Sequence, residues 1–292
     1  MTIILVAPAL LGVAVAVCGA TMGHRKLSPA IAARLITVIA LSSLASMVTA
    51  VGLLASGLAA RVGLGSWFAW CSNVVGTHDA IPTPVTEVAA VLLAAMAFGA
   101  FRYSRRWRKA LARWGQADEL EVIDVDEPFA YAVPGSPGHV VVSSGLLREL
   151  EPSERRALLE HERAHLQLRH SRYLKLVGMS AAALPLLRPL VDEIRFVTER
   201  WADEIAAAAV GDRNVVASAI ARTALASTPA NAMGLGDSDV AARVQALVVS
   251  TSGRPGWRPT TALGVSAAAC TGSMMIQAHH LVTYGLHVCG IG

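Results

Sequence analysis

Residues 161–170 read HERAHLQLRH, and this stretch decides how the chain is interpreted. His161 and His165 are four residues apart, so on a helix both imidazoles project from one face, about 6 Å apart. Two imidazole nitrogens at that spacing can reach one Zn²⁺ ion at about 2.0 to 2.1 Å. Glu162 stands beside them, where it can approach a water on the metal without being a ligand. A polar helix face that is merely rich in histidine is the alternative, and the motif alone leaves both interpretations open.

The residues around the motif predict one long helix from Pro152 to Tyr173. Pro152 suits the first helical position, and apolar residues recur on one face at intervals of three to four. His170 lies nine residues after His161. Because two ligands already occupy that face, we interpret His170 as a packing or hydrogen-bonding residue.

A third ligand for the metal is found further along the chain, in the sequence ERWAD at residues 199–203. Glu199 and Asp203 are four residues apart and therefore share a helix face. Glu199 can complete a His₂Glu site whose fourth position stays open for water. Asp203 is placed to accept the outer N–H of a ligand histidine. A solvated helix also carries such residues, but their combination with HExxH favours the metal site.

Charged residues are concentrated around these motifs. The chain is 54% hydrophobic and 16% charged, and residues 102–258 hold 21 of the 25 Lys and Arg and 19 of the 21 Asp and Glu. The middle segment therefore has the charge content of a soluble domain, whereas the flanks resemble bilayer-spanning segments. This composition excludes a disordered chain and a disulfide-dense scaffold. The net charge of +4 is distributed evenly and predicts no direct nucleic-acid partner.

The uncharged flanks predict a mainly α membrane protein with about four transmembrane helices. Three lie in residues 1–101, at about 3–22, 35–60 and 84–101, and a weaker fourth lies in residues 259–292, followed by a short extracytoplasmic tail. A signal peptide is the alternative for the first span. The cytosolic domain is expected between them, at residues 102–258.

Basic residues beside the predicted spans set the expected orientation. Arg25, Lys26 and Arg34 stand in the first turn, and five Arg and one Lys occur within 102–113, directly after the third span. By the positive-inside rule both segments face the cytosol. We therefore expect a multi-pass protein of the cytoplasmic (inner) membrane, in contact with lipid, whose catalytic domain faces the cytosol.

Three stretches now stand together as a pattern: AYAVPGSPGHVVVSSGLL at 130–147, HERAHLQLRH at 161–170 and ERWAD at 199–203. The pattern resembles the membrane zinc metalloproteases of the HtpX type and of the BlaR/MecR type. The resemblance implies an α+β zincin-like domain of the HExxH gluzincin kind. It also implies site residues: zinc ligands His161, His165 and Glu199, the general base Glu162, the supporting Asp203, and Arg243 as a functional, catalytic arginine.

The layout of three spans, a zinc domain and a fourth span resembles the BlaR/MecR signal-transducing proteases more closely. The resemblance implies a zinc metalloendopeptidase hydrolysing a cytosolic protein substrate, such as a BlaI-like transcriptional repressor. Those sensors carry a penicillin-binding domain after the last span, whereas about ten residues follow here, so direct β-lactam sensing is not expected. An HtpX-like quality-control protease is one alternative function, and a non-catalytic membrane sensor or scaffold is another. The oligomeric state is left open.

Three smaller features complete the expectations. Residues 139–143, HVVVS, read as a strand that is either an exposed edge for an extended substrate or a buried central strand. Residues 177–187 are apolar but too short to span, so they predict a buried, interfacial or re-entrant helix pair. By the expected topology Cys71 and Cys289 lie on the extracytoplasmic side, where they could form a disulfide. Cys18 and Cys270 lie in the membrane and are expected to stay reduced.

Overall fold

The computed structural model describes residues 2–23, 27–61, 82–112, 118–227 and 236–249, together with four isolated positions after residue 260. The predicted fourth span and the pairing of Cys71 with Cys289 lie outside these described residues, as does Cys270. Cys18 is a free thiol.

Three long helices form the N-terminal part of the described chain: α1 (Thr2–Gly23), α2 (Pro29–Arg61) and α3 (Thr83–Leu111). Two of them are long and apolar enough to cross a membrane, over Pro29–Ala55 and over Thr83–Leu111. In α1 the apolar helix is shorter, Ala9–Thr21. The described residues therefore contain two candidate spans. The sequence predicts four, of which the last lies outside these residues.

Helix α3 continues well beyond residue 101, where the apolar part of the predicted third span ends. Helix formation does not require apolar residues, and the continuation is built from Arg, Lys, Trp and Tyr, which are compatible with a helix. The basic residues of 102–109 and Trp107 therefore belong to the same continuous helix as the apolar segment. The next described element along the chain is the first strand of the domain that carries the histidines.

The domain contains a three-stranded sheet of β1 (Leu120–Ile123), β2 (Ala130–Val133) and β3 (His139–Ser143) in the order β1-β3-β2. β3 pairs in parallel with β1 and antiparallel with β2, and every β3 residue is buried. A continuous apolar run is typical of a strand covered on both faces. The hypothesis that 139–143 is an exposed edge is therefore wrong, since β3 is the central strand and β1 and β2 form the edges of the described sheet.

Helices follow the sheet: α4 (Ser144–Glu149), α5 (Pro152–Gln167), α6 (His170–Ala183), a 3₁₀ turn (Pro185–Leu187), α7 (Pro189–Val210), α8 (Arg213–Ser227) and α9 (Gly236–Val248). Helix α5 begins at the predicted Pro152, and the Glu154 carboxylate accepts a hydrogen bond from the Glu151 backbone N–H at 2.9 Å. Satisfying a free N–H in this way stabilises the first turn of the helix.

The single helix predicted over 152–173 is two helices. Arg169 adopts a left-handed conformation, with φ of 53°, and the chain turns there between α5 and α6. Neither Gly nor Pro marks the break in the sequence, so the helical periodicity extends through it. The turn changes the direction of His170, which would otherwise continue the spiral of α5.

The tip formed by the end of α6 and the start of α7 packs against the three N-terminal helices. Val177, Leu187 and Ile194 are fully buried in one apolar cluster with residues of α1, α2 and α3. The prediction that residues 177–187 are too short to span and form a buried helix pair agrees with this packing. The histidine-bearing domain is thus joined to the apolar helices through a shared core.

Gly99 allows α3 to approach α6 closely, because a Cβ atom added there would overlap the backbone carbonyl of Ala182. We expect Gly99→Val to lower the free energy of unfolding by about 1–3 kcal/mol, since backbone cannot yield as a side chain can. Ala97→Val introduces the same side chain at an exposed position of α3 and is the control. Thermal unfolding in detergent checks this, and equal melting temperatures for the two variants would contradict it.

Candidate metal centre

Two helices bring the metal-ligating side chains together. α5 carries His161, Glu162 and His165, and α7, packed against it, carries Glu199 and Asp203. Small residues of both helices belong to one buried cluster, among them Ala157 and Ala206. Small side chains let helix axes approach closely, which places the carboxylates of α7 within reach of the imidazoles of α5.

Three side chains, those of His161, His165 and Glu199, form a compact triangle of possible metal ligands. Nε2 of His161 lies 3.1 Å from Nε2 of His165, and the two nitrogens lie 3.4 Å from Oε2 and Oε1 of Glu199, respectively. Ligands at about 2.0 to 2.1 Å from a tetrahedral zinc ion stand about 3.3 Å from each other. The measured separations are close to this spacing, so His161, His165 and Glu199 would hold one zinc ion between them. The donor set of two imidazoles and a carboxylate is also one that zinc prefers.

Asp203 supports the opposite side of the first histidine. Its Oδ1 lies 3.0 Å from Nδ1 of His161, and its side chain is 3% exposed. A carboxylate at this place holds the N–H of His161 at Nδ1 and leaves the Nε2 lone pair for a metal. Burial by itself would raise the pKa of Asp203, but hydrogen bonds from Arg243 and His161 lower it.

Arg243 of α9 joins the two carboxylates. Its Nε and Nη2 donate to Asp203 at 2.8 and 2.7 Å, and its Nη1 lies 3.1 Å from Oε2 of Glu199. All three guanidinium nitrogens thus face carboxylates of the centre. In this structure the contacts of Arg243 are those of a positioning residue, which orients the ligand Glu199 and the supporting Asp203.

The two ligand histidines differ in their affinity for protons. Burial opposes protonation of His161, but Asp203 and Glu199 outweigh it and raise its pKa to about 10. At His165 burial dominates and lowers the pKa to about 4. At neutral pH His161 is therefore protonated on both nitrogens, whereas His165 is a neutral imidazole.

Zinc binding should displace the Nε2 proton of His161. A metal needs the Nε2 lone pairs of both rings, so at pH 6.5 we expect release of about one proton per zinc bound. Because protons compete with zinc, affinity should fall about tenfold for each unit of pH decrease below the pKa of His161, while His165 stays neutral. Calorimetric titration in two buffers of different ionisation enthalpy measures the released protons. Identical heats in the two buffers would contradict the expectation.

Glu162 occupies a buried position beside the triangle. Burial raises its pKa, and the charge of His161 and a hydrogen bond from the backbone of Ala132 on β2 partly offset this. A carboxylate with a raised pKa is a stronger base than an ordinary one, and it can return the proton it has accepted. Its position therefore suits general acid and base chemistry.

Two cavities meet at the metal centre, since His161, Glu162 and Glu199 line both. The larger, of about 460 Å³, lies between β2, the start of α6 and the end of α3, and Trp107 and Leu111 of α3 line it. The smaller, of about 270 Å³, is bordered by apolar residues of α5, α8 and α9. Together they form a cleft that crosses the centre and accommodates a chain on both sides of it.

Some features of the site have no clear signal in the sequence. The edge strand β2 lines the larger cavity, and so does Trp107, which lies beyond the end of the predicted span at residue 101. His170 contacts His165, with the two Nδ1 atoms 3.0 Å apart. The sequence shows that His170 lies nine residues after His161. It does not predict the turn at Arg169, which brings His170 into contact with His165.

The domain that carries these residues is similar to known proteins. Residues 100–252 match peptidase family M48. A "Protease HtpX homolog" of Thermoplasma acidophilum is 40% identical over 63 residues, which cover 21% of this chain and 20% of that protein, so the chain spans about a fifth of the length of this relative. No solved structure matches. The family match extends over more than half of the chain, so the protein belongs to peptidase family M48, and this membership indicates a metalloprotease.

Proposed function

We propose that the protein is a membrane-anchored zinc endopeptidase that hydrolyses peptide bonds of a protein substrate. The observation that carries the proposal is the triangle of His161, His165 and Glu199, with sides of 3.1 and 3.4 Å, beside the buried Glu162. The triangle lies in a cleft large enough for a peptide, and the chain is an M48 peptidase.

The residues of the cleft divide the work of hydrolysis. A zinc ion held by His161, His165 and Glu199 would supply Lewis acidity, polarising the scissile carbonyl and acidifying the attacking water. Glu162 accepts the proton of that water and returns it to the leaving nitrogen. Arg243 and Asp203 keep the ligands in place, and apolar side chains line most of the two cavities beside them.

Strand β2 offers a way to hold the substrate. Within the described chain it pairs on one side only, with β3, and its residues Ala130–Val133 line the larger cavity. An extended peptide can add to such an edge through main-chain hydrogen bonds. This mode of binding positions a scissile carbonyl with little dependence on side chains.

The membrane arrangement follows from the apolar helices and the basic residues. Two described helices are long and apolar enough to span a bilayer, and the basic end of α3 leads to the cleft. Basic residues beside spans favour the cytosolic side. The proposal is therefore a multi-pass protein of the inner membrane whose cleft opens on the cytosol, close to the lipid headgroups.

For the substrate, we favour a cytosolic transcriptional repressor of the BlaI kind, cleaved in a signalling pathway of the BlaR/MecR type. The order of apolar helices and zinc domain along the chain supports this choice. Quality control of membrane proteins is the second candidate, and the local identity to a protein named as an HtpX homologue favours it. A non-catalytic scaffold is disfavoured, because it would not need a buried base beside a complete ligand triangle.

Substrate trapping separates the candidates. Glu162→Gln protein in native membranes should retain its substrate, which crosslinking and mass spectrometry identify. Recovery of one DNA-binding protein supports the signalling role, whereas recovery of many integral membrane proteins supports quality control. Glu160→Gln, at a half-buried position of the same helix outside the ligand set, is the matched control and should release the substrate after cleavage. A wild-type protein without zinc or peptidase activity would contradict the proposal as a whole.

A further inference from the structure

His170 is a buried histidine that lies between the metal centre and helix α2. Its ring stands perpendicular to that of His165, at 87° with centroids 4.8 Å apart. The ring of Trp201 lies on the other side of His170, with centroids 5.1 Å apart. The guanidinium carbon of Arg34, in α2, lies 6.0 Å from the centroid of the Trp201 ring. Continuous contacts thus join α2 to a candidate zinc ligand.

The contact between the two histidines fixes which nitrogen carries the hydrogen. Nδ1 of His165 and Nδ1 of His170 are 3.0 Å apart, so one donates and the other accepts. Nε2 of His165 is the atom that faces His161 and Glu199. A neutral imidazole that binds a metal through Nε2 carries its hydrogen on Nδ1. With a metal on Nε2 of His165, Nδ1 of His165 would therefore be the donor and Nδ1 of His170 the acceptor.

We propose that His170 is a positioning residue for the zinc ligand His165, and that Trp201 and Arg34 connect this position to helix α2. The inference rests on the proposed zinc centre. Hydrogen bonds to the outer nitrogen of a ligand histidine set its tautomer and ring orientation. Asp203 serves His161 in this way, and His170 serves His165. Because Trp201 packs on His170 and Arg34 covers Trp201, a displacement of the end of α2 changes the support of a ligand.

The first test measures zinc affinity by chelator competition in the full-length protein in detergent micelles. His170→Phe keeps a ring but removes the acceptor, and we expect about 10- to 100-fold weaker zinc binding. His170→Asn places an oxygen acceptor near the position of Nδ1 and should stay close to wild type. The visible spectrum of the cobalt-substituted protein should change in the phenylalanine variant and not in the asparagine variant. Unchanged affinity in His170→Phe, or equal losses in both variants, would overturn the inference.

The second test examines the connection to α2. Arg34→Gln should weaken zinc binding by about two- to fivefold, the loss of one cation–π contact. The same substitution made in the His170→Phe background should have no further effect, because the path to His165 is already broken. Arg105→Gln removes an exposed arginine from the cytosolic part of α3 and is the control. Equal effects of Arg34→Gln in both backgrounds would overturn the link to α2.

Different results would refute the proposed zinc centre and the proposed role of His170. A wild-type protein that binds no zinc would refute the zinc centre and this inference with it. A wild-type protein that binds one zinc with an affinity indifferent to His170→Phe would refute the inference alone and leave the proposed function standing.

Discussion

Replacing Glu162 by glutamine should lower kcat/KM for peptide hydrolysis by about 10²- to 10⁴-fold, the usual contribution of a general base. Glutamine has the shape of glutamate but cannot accept the proton of the attacking water. Glu162 lies outside the ligand triangle, so the variant should keep its zinc. Kinetic assays on a quenched fluorescent peptide, combined with metal analysis of the same samples, measure both quantities.

Glu160→Gln is the control for this experiment. Glu160 belongs to the same helix, and its carboxylate accepts a hydrogen bond from Arg163 at 2.9 Å, a partly exposed i,i+3 ion pair that contributes little energy. Its removal should leave kcat/KM near the wild-type value. Full activity in Glu162→Gln would refute the role of Glu162 as the base, and a loss of zinc would mean that its carboxylate belongs to the ligands.

Asp203→Asn should weaken zinc binding by about 10- to 100-fold, since the supporting partners of ligand histidines contribute on this scale. The amide keeps the shape of the side chain but removes the charge that His161 and Arg243 face at 3.0 and 2.7 Å. Without that charge His161 is a less basic ligand, and one of the carboxylates that hold Arg243 is lost. Chelator competition measures the affinity.

The matched control is Asp192→Asn, on the same helix α7. Asp192 is 82% exposed and lies 3.6 Å from Arg195, so its charge contributes little. Zinc affinity should be unchanged in this variant. Equal affinities for the Asp203 and Asp192 variants would show that the buried carboxylate does not support the centre.

The core of the candidate site could be predicted because its signals are local. His161 and His165 share one helix face by spacing alone, and so do Glu199 and Asp203. The apolar run of 139–143 is likewise the local pattern of a strand that is buried on both faces. The step from two separate helices to one centre came from the donor types, since two histidines lack a third ligand that Glu199 can supply, and the resemblance to known metalloproteases supported it.

The remainder depends on tertiary contacts that leave little trace in the sequence. The turn at Arg169 has neither Gly nor Pro, and packing of α6 against the apolar helices overrides the helical pattern that runs through it. The apolar pattern of α3 marks only the predicted span, to residue 101, whereas the helix itself continues through charged residues to Leu111. The engagement of Arg243 with two carboxylates likewise becomes visible only when α9 is placed beside α7.

X-ray absorption at the zinc edge of the purified full-length protein tests the central claim most directly. The account predicts one zinc per chain, bound only by nitrogen and oxygen at about 2.0 to 2.1 Å, with the outer-shell scattering of two imidazoles. His165→Ala protein should lose the zinc or one imidazole from this pattern. Absence of zinc from the wild-type protein, sulfur in its coordination shell, or an unchanged spectrum in His165→Ala would contradict the account.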